Sequence, residues 1–305
     1  MLGWILHKHS DFLLKPETYE IHKLMEEGKS AGIEIQVLKP EQIEIIVNRD
    51  DRKSIFVNDV STSLPDFIIP RMGAGTTYFA LALIRHLEKL GVYSFNSAAS
   101  IDIVKDKLFQ LQILAESGLP IPKTMLARFP IDPEIVGKHI GYPVVVKTLS
   151  GSQGSGVFLC ETKQSFDELM HMVENTNSNV NLIFQEFVKT SHGRDLRVMT
   201  VGGRVVGAMA RTSSDGNFKA NYSRGGTINK FEITAEIEWL VMEIARILDL
   251  DIAGIDLLFD GDRFKICEVN SSPGFEGLEQ ACGKNIASEI IQFVRLRLEM
   301  KGKGR

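Results

Sequence analysis

One pair of apolar runs around a tight turn constrains this chain more than any other segment. Residues 253–259 and Arg263–Asn270 flank Asp260-Gly261-Asp262, a hairpin signal with its turn centred near Asp262. In that register Asp256 lies opposite Glu268, with Cβ atoms within about 5.5 Å. Asn270 follows two residues later and projects from the same face. Two carboxylates and an amide oxygen thus converge among Ala253, Ile255, Leu257, Phe259 and Ile266. Facing carboxylates repel, burial sharpens the repulsion, and a cation between them is the remedy. Hard oxygen donors favour Mg²⁺ or Mn²⁺ over Zn²⁺. A hairpin with one hydrated face would carry the same acids, so this signal needs company.

The rest of the chain changes periodicity twice. Strands are expected at Leu2–Leu6, Glu34–Leu38 and 66–70, alternating with helices at 18–31 and 76–90. That alternation implies a small α/β lobe with a parallel sheet over residues 1–97. A helix capped by Ser100 should run to Ser117, with Val104, Leu108, Leu111 and Ala115 inward. Strands at 144–147, 157–159 and 182–188, with a helix at 165–174, make a second lobe over 98–189. From Asp195 the pattern turns antiparallel: a hairpin at 196–201 and 204–210, a helix from Ile237 to Leu248, the hairpin above and a final helix at 286–298. This third lobe covers 190–305, and the fold class is mixed α/β and α+β.

Between Lys147 and Val157 lies Gly151-Ser152-Gln153-Gly154-Ser155-Gly156. Glycines let backbone N–H groups approach a phosphate, and a strand lysine can reach the same phosphate as a point charge. No Gly-Lys-Ser/Thr follows, so this is not a Walker A loop; a strand follows, so it is not a dinucleotide fingerprint. A plain hairpin turn is the simpler alternative, and a flap over phosphates the functional one. Gln185-Glu186-Phe187-Val188 ends an apolar strand that could present backbone groups and an aromatic wall to an adenine, with Asp195 near enough for ribose hydroxyls. Arg197, Arg211, Lys219, Asn221 and Arg224 gather cationic and amide donors suited to an anionic ligand or a developing oxyanion.

Other classes recede. The net charge is −4, without the basic excess of a nucleic-acid binder. Cys160, Cys267 and Cys282 show no CxxC spacing and read as reduced cytoplasmic thiols. The N-terminus reads as a strand, not a signal peptide, and no apolar run approaches the roughly 18 residues of a membrane span. There is no G-x-S-x-G elbow and no Cys–His pairing.

Taken in order, these elements resemble the ATP-grasp superfamily: Asp106-Lys107, the strand lysine Lys147, the Gly-rich flap, the Gln-Glu-Phe-Val hinge, Asp195-Leu196-Arg197, then Asp256 with Glu268-Val269-Asn270. Within it the chain resembles the RimK-type α-L-glutamate ligases, also through Pro70-Arg71-Met72-Gly73, Phe95-Asn96, Arg224-Gly225-Gly226 and Asn270-Ser271-Ser272-Pro273-Gly274. The resemblance implies an ATP-grasp fold with a pre-ATP-grasp lobe. It implies Lys107, Lys147 and the flap on the ATP phosphates, Glu186 and Phe187 on adenine, and Asp195 on ribose. It implies two Mg²⁺ or Mn²⁺ ions on Asp256, Glu268 and Asn270, and Arg211, Lys219, Ala220, Asn221 and Arg224 around the acyl phosphate and substrates. The reaction would join L-glutamate through its amine to an acidic acceptor, such as a ribosomal protein C-terminus, in a cytoplasmic homo-oligomer. Another amino acid or a cofactor or carrier-protein acceptor stays open, as does a non-catalytic nucleotide-binding regulator. Lys219-Ala220 departs from the Arg-Ser of relatives: charge is kept and a bidentate fork lost.

Overall fold

Apolar runs alternating with amphipathic stretches build a parallel sheet first. The computed structural model describes residues 1–8, 18–47, 54–149, 156–214, 216–218 and 226–303. It opens with β1 (Leu2–Leu6), α1 (Tyr19–Ser30) and β2 (Glu34–Leu38). Three short strands follow, β3 (Ile43–Ile45), β4 (Ile55–Val57) and β5 (Val60–Ser61), then β6 (Phe67–Pro70), α2 (Tyr78–Lys89) and β7 (Tyr93–Ser94). The main sheet has the order β2-β1-β6-β7 and is parallel throughout. β6 is buried along its whole length, which is why it reads as an unbroken apolar run. The β3-β4-β5 sheet was not expected, because runs of two or three residues are too short to register an alternation.

The next segment contains α3 (Ala98–Lys105), α4 (Lys107–Glu116), β8 (Thr124–Ala127), α5 (Pro133–His139), β9 (Val144–Thr148), β10 (Val157–Cys160), α6 (Lys163–Asn177) and β11 (Leu182–Glu186). The single helix expected from Ser100 to Ser117 is two. Ser97, not Ser100, caps the first by accepting from the Ser100 N–H. Asp106 then takes the N–H groups of Leu108 and Phe109 and starts a second helix with a new phase. Leu111 and Leu114 face inward as a result, and Ala115 is exposed. The four strands form an antiparallel sheet, β10-β9-β11-β8, over a core that includes Val144, Val146, Phe166 and Phe184.

The third segment is β12 (Arg194–Val201), β13 (Arg204–Thr212), β14 (Thr227–Lys230), α7 (Ala235–Ile247), β15 (Ile252–Asp260), β16 (Arg263–Asn270), α8 (Glu276–Cys282) and α9 (Ile286–Lys303). Its five-stranded sheet has the order β14-β13-β12-β15-β16. Leu196, Val198, Ile255 and Leu257 pack on one side with α7 residues and Leu114 of α4. Met199, Val201 and Ile252 pack on the other with α9, with Ile5 and Phe67 of the first sheet and with Leu24 of α1. Among the described residues no helix is long and apolar enough to cross a membrane.

One buried side chain ties the first sheet to the third. Asn96 is 1% exposed. Its Nδ2 donates to the carbonyls of Ile252 (2.7 Å) and Ser271 (2.8 Å), and its Oδ1 accepts from the Ile252 N–H (2.9 Å). These bonds fix the entrance to β15 and the exit from β16. Asn96→Ala should leave three backbone groups short of a partner and cost about 2–4 kcal/mol, read as a lower denaturant midpoint.

Candidate active site

Asp256 and Glu268 face each other, though not by the expected route. The turn is one residue tighter, because Asp260 pairs directly with Arg263. An extra residue, Cys267, then bulges from β16 between Ile266 and Glu268. The two offsets cancel, so Asp256 pairs with Glu268 and Gly254 with Asn270. The bulge also lets Cys267 and Glu268 line one cleft, between the antiparallel four-stranded sheet and the five-stranded sheet.

Asp256 is held by two arginines. Arg197 sits opposite it on β12 and donates to its carboxylate through Nε and through Nη2, the latter at 2.7 Å. Arg211 Nη2 lies 3.1 Å from Oδ1 of the same group. Arg211 also grips Asp195, its cross-strand neighbour on β12, with Nε to Oδ1 at 2.6 Å and Nη2 to Oδ2 at 2.8 Å. Two acids and two guanidinium groups therefore balance within a nearly buried network. The cation that the sequence assigned to a metal is supplied at Asp256, in part, by side chains.

The two acids respond differently. Burial pushes the Asp256 carboxyl up, but the charges of Arg197 and Arg211 overcome it and hold the group down at about 2. For Asp195 burial wins and the pKa is raised despite the opposing charge of Arg211, with Asp256 adding a repelling charge. Asp195, expected at a ribose, has both oxygens taken by Arg211, and Arg211, expected over an oxyanion, is 7% exposed inside the network. Glu268 is different. It lines the cleft half-buried, with no hydrogen bond or ion pair among the described residues. Asn270 is likewise half-buried and unpartnered, on the face that Glu268 shares. Among the described residues no three His, Cys, Asp or Glu side chains cluster as a metal site, so the oxygen set is Asp256, Glu268 and the Asn270 amide.

The opposite wall carries Lys147. Lys147 on β9 donates to Gln185 Oε1 at 2.6 Å and lies 3.7 Å from Cys267 Sγ. Gln185 is fixed in turn by donating to Thr124 Oγ1 at 2.9 Å. Lys107, in the first turn of α4, lines the same cleft. Its helix is positioned by buried Gln110, which accepts from the Val269 N–H (2.7 Å) and donates to the Val104 carbonyl (2.8 Å). At the apolar end, Phe187 and Val188 face Leu258 across the cleft, and Phe187 meets the His192 ring edge-on at 5.9 Å. Glu186 lines this end too, with its carboxylate paired to Lys265. Gly156 has φ +72°, and a Cβ there would stand 2.3 Å from Thr148 Oγ1, so both backbone and space require glycine. Gly151, Ser152, Gln153, Gly154, Ser155, Lys219, Ala220, Asn221 and Arg224 lie outside the described residues.

Sequence reasoning missed Gln110, Lys265, Cys267 and the clamp that Arg197 makes. Arg197 was visible only as one cation of a group; its place two residues after Asp195 on a strand puts it on the same face, and that spacing was the available signal.

A strand lysine on one sheet, paired carboxylates on the next and a cleft between them define the ATP-grasp class. Solved structures share this fold: the ligase PsnB complexed with a phosphomimetic precursor variant, Mg and ADP (TM-score 0.73, 19% identity, 97% of this chain and 98% of that one), and D-alanine–D-alanine ligase from Bacillus anthracis complexed with ATP (TM-score 0.68, 16% identity, 99% and 98%). More particularly, the chain belongs to the RimK family, with residues 104–294 matching the RimK-like ATP-grasp domain and 12–101 the RimK PreATP-grasp domain. It is 34% identical over 291 residues to a probable alpha-L-glutamate ligase of Aeromonas salmonicida (strain A449), covering 95% of this chain and 96% of the relative. It is 34% identical over 280 residues to a protein of the same description from Legionella pneumophila (strain Corby), covering 92% of each.

The network sets an acid limit. Asp256 is depressed below the ordinary carboxylate value of about 3.9, so its contribution to stability is present above that pH and fades as pH falls toward 2. Arg197→Gln removes the larger attraction, so the Asp256 pKa should rise and acid unfolding begin at a higher pH. Stability curves against pH in the presence of a chelator will measure the shift.

Proposed function

We propose that this chain is an ATP-dependent carboxylate–amine ligase that activates an acceptor carboxylate as an acyl phosphate and joins it to the amine of L-glutamate. The observation that carries the reading is Glu268: a carboxylate without a partner among the described residues, facing Asp256 in a cleft that Lys107 also lines and whose other wall presents Lys147. Family membership agrees with it, as do relatives described as probable alpha-L-glutamate ligases.

Glu268, Asn270 and the Asp256 oxygens fit Mg²⁺ in donor chemistry, and Mn²⁺ would suit the same set. Such ions, two in the family pattern, would neutralise the phosphate oxygens during transfer. The protein's own groups do the remainder. Lys107, Lys147 and the 151–156 segment hold the phosphates in line with the acceptor. Phe187, Val188 and Leu258 enclose the base, and Glu186 and Asp195 supply polar contacts at that end. A carboxylate is a good nucleophile toward a phosphoryl group and a poor electrophile until phosphorylated. Once it is activated, an amine attacks, and the oxyanion that forms needs donors from Arg211, Lys219, Asn221 and Arg224. Arg211 can serve only if it lends a donor from its clamp on Asp195. The cleft must close against water, which would hydrolyse the activated acyl group.

Peptide-precursor complexes of PsnB favour a peptide acceptor, and the C-terminus of a ribosomal protein is one acceptor of that kind. A cytoplasmic homo-oligomer completes the reading. The test is ADP release with ATP, Mg²⁺ and each of the twenty amino acids, with and without a cell-extract fraction, followed by product mass. A glutamate-dependent signal with the mass gain of a glutamyl residue supports the reading, and ATP binding without turnover defeats it.

Two variants probe the site. Asp256→Asn should abolish ADP formation while circular dichroism shows the fold retained; full activity would remove the metal assignment. Lys147→Ala should raise the KM for ATP by about 10–100-fold through loss of a charged hydrogen-bond donor, measured by steady-state kinetics.

A further inference from the structure

The first sheet ends beside the catalytic face, and a charge waits there. In the order β2-β1-β6-β7 the chain moves from β1 to one neighbour and then returns past it to the other, so the topological switch falls between β1 and β6. In parallel sheets the crevice beyond the carboxyl ends at such a switch is where ligands bind. Arg71 is the residue that leaves β6 at that point, its N–H bonded to the Leu6 carbonyl at 2.8 Å.

The Arg71 guanidinium is incompletely satisfied. Nη2 donates to the Pro273 carbonyl at 2.8 Å, and the group lies 5.7 Å from the centroid of the Phe275 ring. Among the described residues no carboxylate pairs with it. Glu20 is the nearest acid felt, and its Oε1 already accepts from the N–H groups of Phe275 (2.8 Å) and Glu276 (3.4 Å). The side chain remains partly exposed. A half-buried guanidinium with no carboxylate hydrogen-bonded to it, and with Glu20 acting on it only at a distance, keeps N–H donors free for an anion.

Pro273 connects this charge to the chemistry. A Cβ on Gly254 would stand 2.4 Å from Pro273 Cβ and 3.7 Å from Arg197 Cδ. Pro273 and Arg197 therefore flank the bare backbone of Gly254 on one face of β15. Gly254, Asp256 and Leu258 alternate onto that face. Along the strand the order is an apolar base-binding end at Leu258, the carboxylate site at Asp256, then Gly254, which the Pro273 ring covers, and, beyond Pro273, Arg71. The acceptor carboxylate must meet the phosphoryl group near Asp256, and the segment that leaves β16 after Asn270 runs from that point to Pro273 and Arg71, so an amino acid lying along it presents its amine toward Asp256.

We propose that Arg71 anchors the α-carboxylate of the incoming amino acid, in a subsite formed by the end of β6 and the segment after β16. The proposal rests on the ligase reading above. In an amino acid the amine and the α-carboxylate share one carbon, so holding the second aims the first. Arg71 is thus a binding and specificity residue for the amine substrate and has no part in holding nucleotide.

Calorimetric titration with ADP and Mg²⁺ present tests this on the whole protein, using L-glutamate and its α-amide, L-isoglutamine. Wild type should bind L-glutamate at least tenfold more tightly than the amide. Arg71→Gln should weaken L-glutamate binding on the order of 10–100-fold and bind acid and amide alike, with ADP affinity and Tm unchanged. Arg71→Lys should recover part of the discrimination, which a purely structural role would not produce. Equal L-glutamate affinity in wild type and Arg71→Gln, or indifference of wild type to α-amidation, overturns the proposal and leaves the ligase reading intact. If wild type prefers a different amino acid, the glutamate reading falls, and Arg71 is judged on that amino acid and its α-amide. If it binds none, the subsite is refuted.

Discussion

The buried pairing of Asp256 with Arg197 and Arg211 is the interaction on which the rest depends. A carboxylate in the middle of a five-stranded sheet, facing another carboxylate, would be expelled or protonated if left alone. Here it stays ionised, because a guanidinium stands opposite on β12 and a second reaches over from β13. Arg211 is shared with Asp195, so the network draws three adjacent strands into one electrostatic unit. Its charges sum to zero, which leaves Glu268, among the described residues of the cleft wall, as the unmatched negative group. Asp256 is thus oriented by neighbouring side chains alone, whereas nothing among the described residues pins Glu268.

Much of the fold was legible because its central elements obey one period each. β1, β2 and β16 fall on the expected residues, since apolar runs bounded by turn signals leave little freedom. The helix after Asn96 was misread because Asp106 looks like a surface residue within a helical pattern. Its role as a cap shows only when its side chain is seen on two backbone N–H groups. β7, β8 and β14 are two to four residues long and are specified by their neighbours more than by their own composition.

The site divides in a similar way. The opposition of Asp256 and Glu268 could be read from alternation and a turn, yet the reading succeeded through compensating errors. The turn was placed half a residue late, and the Cys267 bulge was unseen. Lys107, Lys147, Glu186 and Phe187 were found by order along the chain, and the structure gathers them on one cleft. Pairings between side chains were not legible. Nothing in a string of letters says that Arg211 will choose Asp195 and Asp256 over solvent, because that choice depends on which strands become neighbours.

The division of apolar cores has a mechanical consequence. Residues of the first sheet and of the five-stranded sheet share one continuous cluster, so those two parts hold each other in place. The antiparallel sheet of β8 to β11 has a cluster of its own, built from its strands, α5 and α6. The cleft is thus a jaw with one wall fixed to the body and one wall on a separately packed unit. Such a unit can swing as a rigid plate, and it can also open as its own cooperative block. Amide protons of β9 and β11 should therefore exchange through events that leave β12 and β15 protected, and a ligand spanning both walls would couple the two blocks into one.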